Sequence, residues 1–325
     1  MNFCVWEALS MQELISGQKP LTAFHLKLIA LLTMVIDHVG AVFPFPALVN
    51  SLMRGIGRMA FPIYAFLIAE GCRYTRSREK YLLRLGVFAL ISELPFDAAF
   101  FGGIIRFGWN FFQLTNVFYT MFFAVACIHI WETLRRQSRK VQLTAAGAFA
   151  GPLILLLLLR DAPRLWMLAA FACLACFFLA CHLLSRQPAA DAPPDRKSNV
   201  LAVIPLLMVL ILADTIHCDY SGFGILLIFL LYLAKSRRTQ VIVLAAGMIF
   251  LYGLGSGLNL INWVAGGFSE PLSLHGTLLF CFSMLAVALV CIYNGQRGRK
   301  VKWAFYAAYP IHLAILAALR AALGL

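Results

Sequence analysis

Apolar runs of about 20 residues recur from Leu26 to the C-terminus, separated by short polar breaks. Each run is long enough to cross a hydrocarbon core of about 30 Å as an α-helix. Soluble core helices are usually shorter and carry a polar face. Only 13% of the 325 residues are charged and 62% are hydrophobic, whereas a soluble domain has about 25% charged residues. That charge is too sparse to cover a water-facing surface, which excludes a soluble globular protein. The expected fold is all-α, a polytopic transmembrane bundle of about eleven helices (range about eight to eleven). The runs place these helices near 26–45, 52–72, 82–101, 112–134, 142–159, 165–184, 200–216, 221–235, 239–257, 272–294 and 301–323. Residues 1–25 read as a lead-in without the basic start or cleavage site of a signal peptide, and 26–325 as one transmembrane domain.

The polar breaks then sort by charge. Lys19, Lys27, Arg73–Arg84, Arg135–Lys140, Arg186–Lys197, Lys235–Arg238 and Arg297–Lys302 fall on one side and hold 21 of the 27 basic residues. Arg54, Arg58, Arg106, Arg160, Arg164 and Arg320 fall on the other. Basic residues accumulate on cytoplasmic loops, so the N-terminus is expected in the cytoplasm. Gln187–Ser198, rich in Pro, Ala and Asp, reads as a cytoplasmic loop within 185–199. The net charge of +13 is this topological bias together with attraction to lipid headgroups, and implies no nucleic-acid partner. No internal repeat is visible, unlike the repeated halves of many transporters. The nine cysteines lie scattered in apolar runs, and no Cys/His spacing suggests a metal site.

Ionisable groups inside membrane helices are costly, so those that occur are functional candidates. Asp37 and His38 lie about 15 Å along a helix from Lys27, near the midplane. Adjacent helical residues do not face each other, so both need partners from other helices. A turn near Pro44–Pro46 returns Gly57 and Arg58 to the depth of Asp37, with Arg54 one helical turn away. This predicts an Asp37–Arg58 pair and a His38 that faces a central cavity; the bland alternative is a structural ion pair. Glu93 and Asp97 flank Pro95, which should break a helix and free carbonyls. Asn116 and Thr120 are spaced one turn apart, and Asp214, His217, Asp219 and Tyr220 crowd an outer break. Asn294-Gly295-Gln296-Arg297-Gly298 suits a phosphate at the inner face, and Tyr309-Pro310 kinks the last helix ahead of His312.

The chain resembles the TraX family, membrane proteins linked to acetylation of conjugative pilin and similar in logic to polytopic membrane acyltransferases. The resemblance is carried by Ile36-Asp37-His38-Val39-Gly40, Arg54…Gly57-Arg58-Met59-Ala60-Phe61-Pro62, Ser92-Glu93-Leu94-Pro95-Phe96-Asp97 and Asn116-Val117-Phe118. It continues through Asp219-Tyr220-Ser221-x-Phe223-Gly224, Asn294-Gly295-x-Arg297-Gly298 and Phe305-Tyr306-x-x-Tyr309-Pro310-x-His312; residues between Arg135 and Asn199 carry none of it. It implies an acetyltransferase of the bacterial inner membrane with acetyl-CoA as donor and no metal. His38, Asp37 and Arg58 are then the expected catalytic set, and Arg73, Arg76, Arg84, Asn294 and Arg297 the expected donor contacts. Arg54, Glu93, Asp97, Asn116, Asp214, Asp219, Tyr220, Tyr309 and His312 are the expected substrate contacts. The acceptor is a pilin N-terminus, a sugar or a lipid. Two alternatives from other classes are a permease that uses the buried Asp/His/Arg set as a relay, and an assembly scaffold in which those groups only hold helices together.

Overall fold

The computed structural model describes residues 20–102, 114–159, 163–186, 196–265 and 274–325. The expected lead-in, save its last six residues, and most of the Gln187–Ser198 loop lie outside them. The elements are α1 (Ala23–Val42), α2 (Ala47–Gly57), α3 (Ala60–Tyr74), α4 (Arg78–Phe101), α5 (Val117–Leu134), α6 (Arg139–Leu158) and α7 (Pro163–Ser185). They continue with α8 (Arg196–Thr215), α9 (Ser221–Leu233), α10 (Arg237–Met248), α11 (Leu254–Ala265), α12 (Leu274–Cys291) and α13 (Lys302–Ala322). A π-turn, Ile249–Gly253, joins α10 to α11, and a tight turn at Arg58–Met59 joins α2 to α3. Counted as continuous runs these make eleven helical segments among the described residues, one for each apolar run of the sequence.

Seven runs are long and apolar enough to cross a membrane by composition alone. The helix α4 is not among them because Arg78, Glu79, Lys80, Arg84, Glu93 and Asp97 lower its hydropathy. Its outer stripe nevertheless reads Leu83, Val87, Leu90 and Leu94, all exposed and three to four residues apart. At 24 residues it is about 36 Å long. Similar exposed leucines, isoleucines and valines cover α1, α6, α12 and α13, as lipid-facing surfaces require. The chain is a multi-pass membrane protein.

Local chemistry sets several boundaries. Thr22 starts α1 with a reciprocal cap on His25. Ser77, Asn116 and Ser236 accept from the first-turn N–H groups of α4, α5 and α10. Gly102, with φ of 73°, closes α4. Two expectations change here. Pro95 does not break its helix: α4 runs on to Phe101, since a membrane helix tolerates proline where neighbouring groups satisfy the freed carbonyl. Asn116 is the cap of α5 rather than a residue one turn inside it.

Contacts divide the chain into two compact units. The first holds residues up to Leu67 together with Ala234–His312. In it α1 and α2 pack closely, since a methyl on Gly57 would lie 2.2 Å from Asp37 Cβ and one on Gly40 2.8 Å from Met53 Cβ. Asn294 donates its N–H to the Leu21 carbonyl and Leu21 donates its own to the Ile292 carbonyl, which ties the start of α1 to the turn between α12 and α13. The second unit holds Ile68–Leu233 and Leu313–Gly324. Its centre is α5, whose residues Phe118–Ile130 are all buried. Phe122, Phe123, Phe149 and Phe177 stack edge-on beside it.

Candidate functional site

In the first unit Asp37 meets both arginines. Arg58 Nη2 donates to Asp37 Oδ1 at 2.7 Å and Arg54 Nη1 to Oδ2 at 2.9 Å. Arg58 also donates to the Arg54 carbonyl at 3.2 Å. The expected Asp37–Arg58 pair therefore forms, and Arg54, expected at substrate, joins it. The arrangement needs the glycine at 57: without a side chain there, α2 comes close enough for Arg54 and Arg58 to straddle the carboxylate. Asn50 donates to the Gly40 carbonyl at 2.6 Å and fixes the same crossing further along.

His38, the next residue along α1, meets the last helix. Its Nδ1 lies 2.7 Å from His312 Nε2, and the two rings are near parallel, 17° apart. Tyr309 stands edge-on to both rings. His38 thus abuts a second histidine and a tyrosine where an open cavity was expected. Its environment comes from α13, on which Tyr309 and His312 share a face.

The hydrogen bonds determine the tautomers. His312 Nδ1 is 2.8 Å from the Ala308 carbonyl oxygen. A carbonyl only accepts, so in the neutral ring the proton sits on His312 Nδ1 and Nε2 is the acceptor. His38 must then donate through Nδ1, and its Nε2 is the unprotonated nitrogen. A histidine whose base nitrogen is set by a chain of fixed donors has the arrangement of a general base.

The other expected residues divide between the units. In the first, Asn294 receives the Gln296 N–H on its side chain and gives its own N–H to Leu21. Gly295 and Gly298 have φ of 81° and 68°, values that favour glycine. The turn leaves Arg297 exposed. Lys27, on the same end, lies over the Phe305 ring.

In the second unit Arg73 is committed elsewhere: it pairs with Glu70 and donates to the Leu231 and Tyr232 carbonyls at 2.7 and 2.8 Å. It caps the end of α9, and these three partners occupy the donors expected to meet phosphate. Arg84 stacks over Tyr81, while Arg76 is exposed and lines a cavity of about 340 Å³ with Arg78, His129, Glu132 and Arg136. Glu93 and Asn116 form a buried pair, with Asn116 Nδ2 2.5 Å from Glu93 Oε2. Asp97 is half-buried one turn further along α4. Asp214 is exposed and accepts from the Gly222 N–H at 2.7 Å, which makes it a cap for α9. Asp219 is exposed and Tyr220 half-buried beside it. Among the described residues no three His, Cys, Asp or Glu side chains converge as a metal requires.

The His38–His312 contact and the cavity at Glu132 were missed in the sequence. Both histidines were candidates, but nothing in local spacing pairs residues 274 apart.

The TraX protein family model matches residues 23–193 and 192–320. The chain belongs to the TraX family. The two matched segments meet at residues 192–193, and the first runs through the residues beyond Arg135 that carried no recognisable motif. The chain is also similar to a relative named as a probable fimbrial assembly protein FimC, serogroup H1, of Dichelobacter nodosus. The two are 24% identical over 301 residues, covering 91% of this chain and 94% of that protein. No solved structure matches this TraX-family chain.

Proposed function

We propose that this TraX-family protein is an integral membrane acetyltransferase, with acetyl-CoA as donor and an amine or hydroxyl as acceptor. The observation that carries the reading is the His38–His312 hydrogen bond beside the Asp37–Arg54–Arg58 ion pair. The acceptor nitrogen or oxygen attacks the thioester carbonyl carbon while its proton moves to His38 Nε2. The carbon–sulfur bond then breaks, and the same proton leaves with the coenzyme A thiolate. His312 accepts from the opposite edge of the ring and so stabilises the imidazolium that forms between these steps. Positioned base catalysis of this kind contributes about 10²–10⁴-fold. Arg54 and Arg58 lie within electrostatic reach of His38, where positive charge favours the developing oxyanion.

The donor's phosphates suit the exposed Arg297 in its glycine turn and Lys27 nearby, since guanidinium and ammonium groups bind phosphate through charged hydrogen bonds. His38 lies about 16 Å along α1 from Lys27, a span for the donor's pantetheine arm to bridge. The excess of basic loops on one side supports a cytoplasmic N-terminus and residence in the bacterial inner membrane. A role in pilus or fimbrial biogenesis is favoured by the relative's name and by the pilin link of the family, with the N-terminal amine of a pilin-class subunit as acceptor.

The test is calorimetric titration of detergent-solubilised protein with acetyl-CoA. Saturable binding that weakens in Arg297→Ala and survives in His38→Ala is the expected outcome. Absence of binding at millimolar donor contradicts the acetyltransferase reading; uptake into proteoliposomes without donor would then favour the permease.

A further inference from the structure

The second unit contains a polar cluster that the acetyl-transfer reading does not use. Glu93 is fully buried in the face that α4 turns toward α5. Its Oε2 receives the Asn116 backbone N–H at 3.2 Å and the Asn116 side-chain amide at 2.5 Å. The same amide also donates to the Ala89 carbonyl, one turn before Glu93, at 2.8 Å. Glu93 Oε1 has no hydrogen-bond partner among the described residues, nor do Ser92 Oγ, Tyr119 OH or Thr120 Oγ1. Ser92, Asn116 and Thr120 are 0% exposed and Tyr119 2%.

Ser92 shares the buried face of α4 with Glu93. Tyr119 and Thr120 lie three and four residues beyond Asn116, so they follow it along the face that meets Glu93. The Tyr119 hydroxyl feels the Glu93 and Asp97 carboxylates electrostatically. Buried polar atoms in native proteins nearly always have partners, so several orphans in one place mark a missing ligand.

The chemistry of the set defines that ligand. Every orphan atom is an oxygen, one belongs to a carboxylate, and no lysine or arginine is bonded to Glu93 among the described residues. An anion is excluded by the carboxylate. Hard oxygen donors with a single negative charge suit a monovalent metal cation, and full burial suits an ion stripped of its water. We propose that Glu93, Ser92, Tyr119 and Thr120 form a binding site for a monovalent cation of the sodium class. This site is independent of the acetyl-transfer reading.

Thermal unfolding of the detergent-solubilised full chain, followed by tryptophan fluorescence, tests it. The buffers are sodium chloride, potassium chloride and choline chloride at equal ionic strength and alkaline pH. A saturable rise in Tm with sodium over choline is expected, because a ligand bound only to the folded state stabilises it. Glu93→Gln should abolish the rise. Thr120→Val should shift its midpoint to about tenfold higher sodium. Equal Tm in sodium and choline, or an unchanged response in Glu93→Gln, overturns the proposal. A wild type that ignores sodium and is stabilised only by acidification also overturns it, and assigns the site to a proton. Should Glu93→Gln fail to fold, equilibrium dialysis with radioactive sodium on wild type and Thr120→Val decides the question. No bound sodium in wild type, or equal binding in both, overturns the proposal.

Discussion

The two units each bury a carboxylate, yet they treat it in opposite ways. Asp37 is met by two guanidinium groups, at 2.7 and 2.9 Å, and the neighbouring His38 belongs to a chain of donors and acceptors ending on a backbone carbonyl. Glu93 has one oxygen held by Asn116 and one without a partner among the described residues. The first network pairs both carboxylate oxygens within the protein, and groups already held need not reorganise during a reaction. The second is complete only with something bound. A buried carboxylate is therefore informative less by its presence than by how its neighbours leave its lone pairs.

The same chemical change should separate the two regions most clearly. Asp37→Asn leaves two guanidinium groups around a neutral amide and is expected to cost about 3–5 kcal/mol, the usual penalty for breaking a buried pair. Glu93→Gln in sodium-free buffer removes a charge that lacks a counter-ion, and is expected to leave stability unchanged or raise it. Chemical or thermal unfolding measures both. Equal destabilisation by the two substitutions would erase the distinction.

A second contrast concerns packing. Gly57→Ala drives a methyl to 2.2 Å from Asp37 Cβ and should cost about 3 kcal/mol or more by overpacking. Gly255→Ala meets nothing within 4 Å on its helix and should be neutral or mildly stabilising. Melting temperatures of the purified variants check both. A harmless Gly57→Ala would mean that α1 and α2 approach less closely than described.

Third in size is the acceptor at His312. His312→Phe removes the group that orders His38 and is expected to lower transfer about tenfold to a hundredfold with little change in Tm. His312→Gln, whose side-chain oxygen accepts a hydrogen bond, should recover part of that loss. Equal activity in the two variants would contradict the tautomer assignment. The smallest effect separates the arginines. Arg58 has a side-chain exposure of 16% and Arg54 of 30%, so Arg58→Met should destabilise more than Arg54→Met, by about 1 kcal/mol. The reverse order, measured by unfolding, would make Arg54 the principal partner of Asp37.

Much of this was legible in the sequence because membranes impose simple rules. Run length located the helical segments of the described residues, although the run expected to end at 257 continues to Ala265, and depth counting paired Asp37 with Arg58. The Arg58–Met59 turn and the passage of α4 through Pro95 depend on packing and were not legible. The His38–His312 bond joins opposite ends of the chain, and no periodicity records it. Arg73 shows the converse limit: a basic residue at a loop reads as a phosphate contact until the carbonyls of Leu231 and Tyr232 are seen to occupy it.

His38, ordered by His312, is the proposed base in acetyl transfer. The direct measurement supplies isotopically labelled acetyl-CoA to inside-out membrane vesicles containing wild type, His38→Ala or His312→Phe. Mass spectrometry of the membrane proteins and lipids then follows the label. Labelling by wild type, a loss of about a hundredfold or more in folded His38→Ala and an intermediate rate in His312→Phe are expected. Wild-type labelling in His38→Ala, or none from any of the three, would contradict it.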